Sequence, residues 1–422
     1  MEPGQNLRYA TGGQSVDELN AEFYGQIRFP WPPQYCERVK RADLSGLMLA
    51  QDIGHWGSRI LPDKASIWVA GCGTNQALFT ALRFPRAQVL GSDLSAESLA
   101  VCAGNASSLG VSNLELRRES INQVEYSGRF DYVICTGVIH HNADPVAPLA
   151  RLAQALKPEG LLELMVYNQF HRILTSAFQN AVRALLGNPS RPDLAQELPV
   201  ARKLVASLRS ECLMSAFLQS ADGSPDAAFA DSLLQPVEHS YTVASLAEMA
   251  RRCDLEMLTF CNDSFSRSQG EAEWNLDFGD EDLDRIYTAL PDAERWQVTN
   301  LLLAEASPML WFYLQRRDCP RPRKPERQIC KEFLDRRFRR VKTEREIFIR
   351  MPEGTYSNSP KVAPYPGEPR HPIAKRILSE LDEGAPFRET LRRLGIDPTF
   401  AQSNRLRLGL ATSGCPYLEA AT

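Results

Sequence analysis

Ser66-Ile67-Trp68-Val69-Ala70-Gly71-Cys72-Gly73-Thr74-Asn75-Gln76 decides the fold. The first five residues are apolar without alternation, the pattern of a short strand buried on both faces. Gly71 and Gly73 then let backbone amides approach a ligand at the N-terminus of the next helix, where the helix dipole favours negative charge. The same rhythm runs outward. A helix is predicted over 76–83, a strand over 88–91 ending in Ser92-Asp93, and a helix over 96–109. Strands follow over 114–116 and 130–135 (FDYVIC), then a helix over 146–156 closed by Lys157-Pro158-Glu159-Gly160, and a strand over 161–167. Strands alternating with helices at this spacing predict an α/β protein built on a doubly wound, mostly parallel sheet.

Beyond that core the rhythm changes. Residues 171–240 are helix-rich and read as an insertion over the sheet edge. A helix over 241–252 with Thr242 as N-cap and a strand over 255–260 follow. A second insertion, 262–306, is polar and acidic, and 309–315 (MLWFYLQ) is the candidate last strand. These elements give a main domain over 61–318. On its N-terminal side, 1–60 reads as an arm and a cap helix. The proline-rich end of the arm, Phe23 to Pro33, is not expected to be a regular helix, whereas 36–60 carries Val39, Leu44, Leu47, Leu49 and Ile53 at near-helical spacing. On the C-terminal side, 319–328 (CPRPRKPERQ) reads as a linker. It leads to a small mixed or helical accessory domain ending at 422, with a strand near 346–351 and two helices near 372–395.

Composition limits the function classes. A net charge of −4 over 422 residues argues against a protein that covers nucleic acid with its whole surface. No run of 18 apolar residues spans a bilayer and the start has no secretion signal, so the expected place is the cytoplasm without membrane contact. Ten scattered cysteines form no Cys-x-x-Cys pair, and the six histidines do not fall at zinc-ligand spacing beside them. Reduced thiols and no metal site are expected. Residues 321–350 hold twelve Lys or Arg against five Asp or Glu, a solvated helix or a surface that docks on the acidic insertion. Nucleic acid is therefore an unlikely partner, and a homodimer is left open.

Two features imply a nucleoside. The glycine turn lacks the third glycine of a dinucleotide site, and Asp93 ends the second strand twenty positions after Gly73, where a ribose diol would be hydrogen-bonded. The segments that choose the cofactor are FDYVICTGVIHHNADP, 130–145, and LKPEGLL, 156–162. In order, spacing and sheet context they resemble the motifs after the fourth strand and before the fifth strand of class I S-adenosylmethionine-dependent methyltransferases. The resemblance extends to 236–260 and covers almost nothing beyond 320. It implies a Rossmann-like fold and S-adenosylmethionine as cofactor. By the same resemblance Gly71, Cys72, Gly73 and Thr74 would approach the methionine portion and ribose, and Asp93 would bridge the ribose hydroxyls. Leu94 would pack on adenine, Glu119 and Ser120 would meet its amino group, and Thr136 would face the methionine. One departure is that Val69 stands where many members carry an acid beneath the glycine loop.

Methyl transfer is an in-line displacement at an activated methyl, so the protein must align a nucleophile and, where that nucleophile is protonated, offer a base. His140 and His141 stand after the fourth strand, where an imidazole titrating near neutrality would serve, His141 ahead of His140. Tyr167 and His171, with Asn168, would line the acceptor pocket, and Tyr24, Phe29 and Trp31 would close over it. The expected function is methylation of a small-molecule or peptide-derived metabolite of the kind natural product biosynthesis uses. A protein side-chain methyltransferase and a cofactor-binding regulatory protein without turnover are the other readings.

Overall fold

The computed structural model describes residues 15–27, 33–57, 59–189, 191–209, 211–219, 221–262, 274–369 and 371–421. Its centre is a seven-stranded sheet. In chain order the strands are β2 (Ser66–Ala70), β3 (Gln88–Asp93), β4 (Leu114–Arg118), β5 (Phe130–Thr136), β6 (Leu156–Val166), β7 (Leu255–Phe260) and β8 (Leu310–Arg316), β1 being Tyr35–Val39 outside it. The spatial order is β4-β3-β2-β5-β6-β8-β7. The first five are parallel, and β8 enters antiparallel between β6 and β7. The doubly wound, Rossmann-like sheet expected from the sequence is present. Its strands are unbroken apolar runs because both faces are covered. Trp68, Val133, Cys135, Leu162 and Leu164 pack on one side, and Ile67, Val69, Tyr132, Ile134 and Leu161 on the other.

Helices α3 (Gln76–Arg83) and α4 (Ala96–Ser108) cover the second face, with α5 (Val146–Ala155) and α10 (Val243–Arg252) on the first. The N-cap expected at Thr242 is a full capping box with Ser245. The first insertion is helical, as expected: α6 (Gln169–Leu185), α7 (Leu194–Ser207), α8 (Leu213–Gln219) and α9 (Asp226–Leu233) enclose Phe178, Val182, Ala201, Leu218 and Phe229.

The two ends of the chain differ from expectation. Val16–Ile27 is a regular helix, α1, which finishes before Pro30 and so escapes the prolines. It buries Phe23 and Ile27 against Ala230 of α9. The expected helix over 36–60 is a strand followed by a shorter helix, α2 (Leu44–Asp52). Tyr35–Val39 is drawn into β structure by β10 (Thr343–Ile349), in antiparallel register from Tyr35 opposite Ile349 to Val39 opposite Arg345.

Residues 319–328 are not a free linker either. Arg321 donates to the Glu159 carbonyl, Arg323 to that of Met257, and Lys324 to that of Gly54. Glu326, which opens the helix Glu326–Asp335, is fully buried. The tail then supplies β9 (Phe338–Arg340), β10, β11 (Lys361–Tyr365), the helices Pro372–Ser379, Phe387–Arg393 and Phe400–Leu410, and a final strand Leu418–Ala420 on β9. Its apolar cluster includes Trp56, whose ring lies 5.8 Å from Phe333 and from Phe338. Part of the basic stretch docks on the acidic insertion, through Arg323 with Asp292. Among the described residues no helix is long and apolar enough to cross a membrane, and no cluster of three His, Cys, Asp or Glu could hold a metal.

Candidate active site

The parallel strands end on one edge of the sheet, and the candidate residues gather there. Gly71 and Gly73 take left-handed φ values of +71° and +54°. A Cβ on Gly71 would meet Val138 Cγ2 at 2.4 Å, so only glycine fits this turn. The Gly71 and Cys72 amides both donate to the Ser92 carbonyl, at 2.8 and 2.9 Å. The Gly73 amide instead donates to Asp93 Oδ2 at 2.7 Å, and the Ser95 amide to Asp93 Oδ1 at 2.9 Å. One amide on each oxygen orients the carboxylate and leaves each oxygen room for a second donor, as a ribose diol requires. Burial pushes the Asp93 carboxyl up, and the two amides oppose that shift.

The remaining cofactor candidates surround this cradle. Thr74 is buried beside Asn75, which donates to its hydroxyl at 2.8 Å. Thr136 ends β5 and receives Gln76 Nε2 at 2.5 Å. Leu94 is half-buried. Glu119 accepts from the Tyr126 hydroxyl at 2.7 Å, and Ser120 donates to Asp17 of α1. Val69 is sealed in the sheet between Gly91 and Ile134, so no carboxylate stands at that position. The glycine turn and the two-amide carboxylate fit an adenosine-bearing cofactor. If Asp93 binds the ribose, Asp93→Ala removes charge-assisted hydrogen bonds of about 1.5–3 kcal/mol each and weakens cofactor affinity about ten- to a hundredfold. Calorimetric titration of S-adenosylhomocysteine into both proteins reads this, and equal affinities would remove Asp93 from the site.

His140 and His141 lie on a 3-10 turn after β5, both buried. The His140 ring sits 3.9 Å from that of Tyr167 and 4.3 Å from His141. His141 Nδ1 lies 2.8 Å from the Val237 carbonyl. A carbonyl only accepts, so Nδ1 carries the proton and Nε2 is a bare acceptor. The near-neutral titration expected for these histidines is displaced. Burial lowers His141 to about 4, with the Val237 bond opposing it, and holds His140 well below its usual range. His171 is drawn aside: its Nε2 lies 2.7 Å from the Ser307 carbonyl. Asn168 likewise holds Ser307 and Pro308. Tyr167 stays at the site under the Arg172 guanidinium, 4.5 Å from the ring centroid. Phe29 and Trp31 lie outside the described residues.

A lowered folded-state pKa means that the unfolded chain binds the extra proton first. His141 therefore contributes stability that is complete above about pH 6.5 and is lost as pH falls to about 4, on the order of 3 kcal/mol. Asp231 contributes with the opposite sign. Burial raises its carboxyl to about 7, so its protonated form favours the folded state and stability falls as pH rises towards 7. Comparing wild type with His141→Phe by urea unfolding at pH 7 and pH 4.5 isolates the histidine. The gap between them should shrink or reverse at low pH, and a constant gap would contradict the buried neutral ring.

Several site residues were missed from the sequence. Asp17 and Asn20 were among them, and with Tyr24, which was named, they stand at i, i+3 and i+7, one face of α1. Asp17 receives Asn122 at 2.9 Å, and Asn20 Nδ2 donates to the His141 carbonyl at 2.8 Å. Tyr24 packs edge-on to His141, centroids 6.4 Å apart, and its hydroxyl accepts from Gln235 at 3.0 Å. Gln235, Asp231 and Glu238 come from the first insertion, and Glu238 grips Arg172 through both carboxylate oxygens, at 2.6 and 2.5 Å. The i, i+3, i+7 spacing was the available signal for α1. Nothing local marks Asp231 or Gln235.

Comparison with known proteins agrees with this geometry. Residues 68–216 match the family model of a methyltransferase domain. An uncharacterized protein of Synechococcus is 29% identical over 260 residues, 60% of each chain. A trans-aconitate 2-methyltransferase of Deinococcus radiodurans is 34% identical over 139 residues, 31% of this chain and 51% of that one. The chain thus spans about half to three-fifths of the length of these curated relatives. Among solved structures, PKMT2 from Rickettsia typhi in complex with AdoHcy shares the fold, with a TM-score of 0.56 at 18% identity, over 93% of this chain and 77% of that one. Residues 68–216 are thus similar to a methyltransferase domain, carried on a sheet of Rossmann-like strand order.

Proposed function

We propose that the protein transfers a methyl group from S-adenosylmethionine to a small-molecule or peptide-derived acceptor, bound between α1, the His140–His141 turn and the first insertion. One observation carries this reading. The side chains that meet there come from three separated parts of the chain, and Asn20, His141, Asp231 and Gln235 are each at most 8% exposed. Such an enclosed site suits a small acceptor or a single extended side chain better than a broad protein surface. Gly71, Gly73 and Asp93 would hold the cofactor. Thr136, Tyr167 and His141 would set the angle between the methyl and the acceptor, where alignment supplies most of the rate. His141 Nε2 would take a hydrogen bond from the attacking group.

The reading is tested by incubating the full chain with methyl-labelled S-adenosylmethionine and a bacterial extract, followed by dialysis. Label in the dialysable fraction is expected. Label retained by protein would favour methylation of a protein side chain instead. Absence of transfer together with tight cofactor binding would favour a regulatory protein.

A further inference from the structure

The side chains where α1, the His140–His141 turn and the first insertion meet carry an uneven set of hydrogen-bonding atoms, and this inference rests on the function proposed above. Among the described residues, Asn20 Oδ1, His141 Nε2 and Gln235 Oε1 are buried and have no partner. Their identity as acceptors follows from their other halves. Asn20 Nδ2 is fixed as the amide nitrogen by the His141 carbonyl, which can only accept. Gln235 Nε2 is fixed in the same way by the Asp231 carbonyl at 3.2 Å and the Asp231 carboxylate at 3.0 Å. His141 Nδ1 carries its proton to Val237, which leaves Nε2 bare. Three bare acceptors therefore come from three elements that touch one another, Asn20 through the His141 carbonyl and Gln235 through Tyr24, which packs on His141, and Asp231 holds the Gln235 amide. His140 also has two unpartnered ring nitrogens, one of which must be a donor in the neutral ring.

The charges point the same way. Arg172 is neutralised by its two-point pair with Glu238, and Arg183, which donates to the Gln235 carbonyl at 2.8 Å, is paired with Glu197. His140, His141 and His239 are all held towards their neutral forms by burial. Asp231, raised to about 7 by burial, becomes a carboxylate as pH rises through that value, and the rings of Tyr24 and Tyr167 stand beside the turn. Unsatisfied buried acceptors are costly unless a ligand brings donors. A carboxylate, an ether or a deprotonated phenol brings none.

We propose that the methyl acceptor is a nitrogen nucleophile, an aliphatic primary or secondary amine that enters as its ammonium ion and is held by Asn20, His141 and Gln235 beside Asp231. The ammonium must lose one proton before it can react, and the Asp231 carboxylate takes it. The nitrogen lone pair then forms the N–C bond while the methyl carbon–sulfur bond breaks, its electron pair remaining on sulfur. The products are the N-methylated ammonium and the neutral thioether of the spent cofactor.

The test uses thermal unfolding of the full chain saturated with S-adenosylhomocysteine, whose binding is checked calorimetrically in the same samples. n-Butylammonium chloride, n-butanol and sodium butyrate are compared at equal concentration and ionic strength. The proposal expects a saturable rise in Tm with butylammonium that exceeds either other probe, and a rise at most half as large in Asp231→Asn. Butanol or butyrate matching butylammonium, or no effect of butylammonium on a cofactor-saturated protein, would overturn it. The ranking of the probes on wild type decides the matter even if the variant does not fold. Failure of S-adenosylhomocysteine to bind would instead overturn the function proposed above.

Discussion

Removing the chain after Arg317 should abolish folding of the remainder rather than release an independent catalytic domain. The sequence reading favours the opposite result, because 319–328 looks like a linker. In the structure that stretch leads into Glu326, whose carboxylate is buried and receives Arg295 at 2.6 Å, Asn404 at 2.9 Å and Asn275 at 3.2 Å, with Arg407 at 3.9 Å. Its amide donates to Asp292 at 3.0 Å. Truncation leaves Arg295 with Asp292 as its one remaining carboxylate and exposes Trp56. It also takes away the Ala411 and Leu418 carbonyls to which Gln51 donates, both at 3.0 Å, and the Ser413 amide held by Asp52 at 2.8 Å. The point variant isolates the ion network. Glu326→Ala takes the buried Arg407 from its carboxylate and leaves Arg295 with Asp292 alone, and should cost about 3–5 kcal/mol, a large part of the roughly 5–15 kcal/mol of an ordinary domain. Glu326→Gln, which keeps most of the hydrogen bonds, should cost less. Urea unfolding measures both, and a soluble truncated chain with an unchanged midpoint would show that the tail is an appendage.

His141→Ala should lower turnover by roughly 10², the size of loss that follows removal of one hydrogen bond to the reacting group. The magnitude follows from its environment. A ring lowered to about 4 is a weak base, but it is neutral across the physiological range and its Nε2 is always ready to accept. The rate loss should fall on kcat, with cofactor affinity nearly unchanged, because among the described residues His141 bonds to Val237 and packs on Tyr24, His140 and Tyr167 rather than on Asp93. The pH profile of the wild type should show no His141 limb near neutrality, since burial lowers this ring to about 4. A variant that keeps more than half the wild-type rate would make the pair part of the loop architecture and move attention to Tyr167 and Asp231.

The two predictions differ in how much of their basis could be read from the chain alone. The sheet was legible because its strands are short apolar runs set off by Gly, Asp and Pro, a pattern that burial on both faces imposes. The Asp93 cradle was legible for a related reason: one helix and one strand separate Gly73 from Asp93, the spacing that sets a strand-end acid beside the glycine turn in a nucleotide-binding unit. What stayed hidden was pairing between distant parts. Tyr35–Val39 alternates too weakly to announce a strand, and its partner Thr343–Ile349 lies some three hundred residues away. Glu326 reads as one more charge in a basic, proline-rich stretch until Arg295 is seen beside it. Asp231 and Gln235 belong to an insertion with no motif, and only α9 packing on α1 brings them to Tyr24. His141 was found by position, but its proton location and lowered pKa follow from Val237 and from burial, which no local spacing encodes.

The central claim is that the edge formed by Gly71, Gly73 and Asp93 binds the adenosyl cofactor. Calorimetric titration of S-adenosylhomocysteine into the full wild-type chain tests it most directly. The structure predicts a single saturable site per chain with micromolar-scale affinity. No saturable heat at millimolar ligand, with the protein shown to be folded, would contradict it.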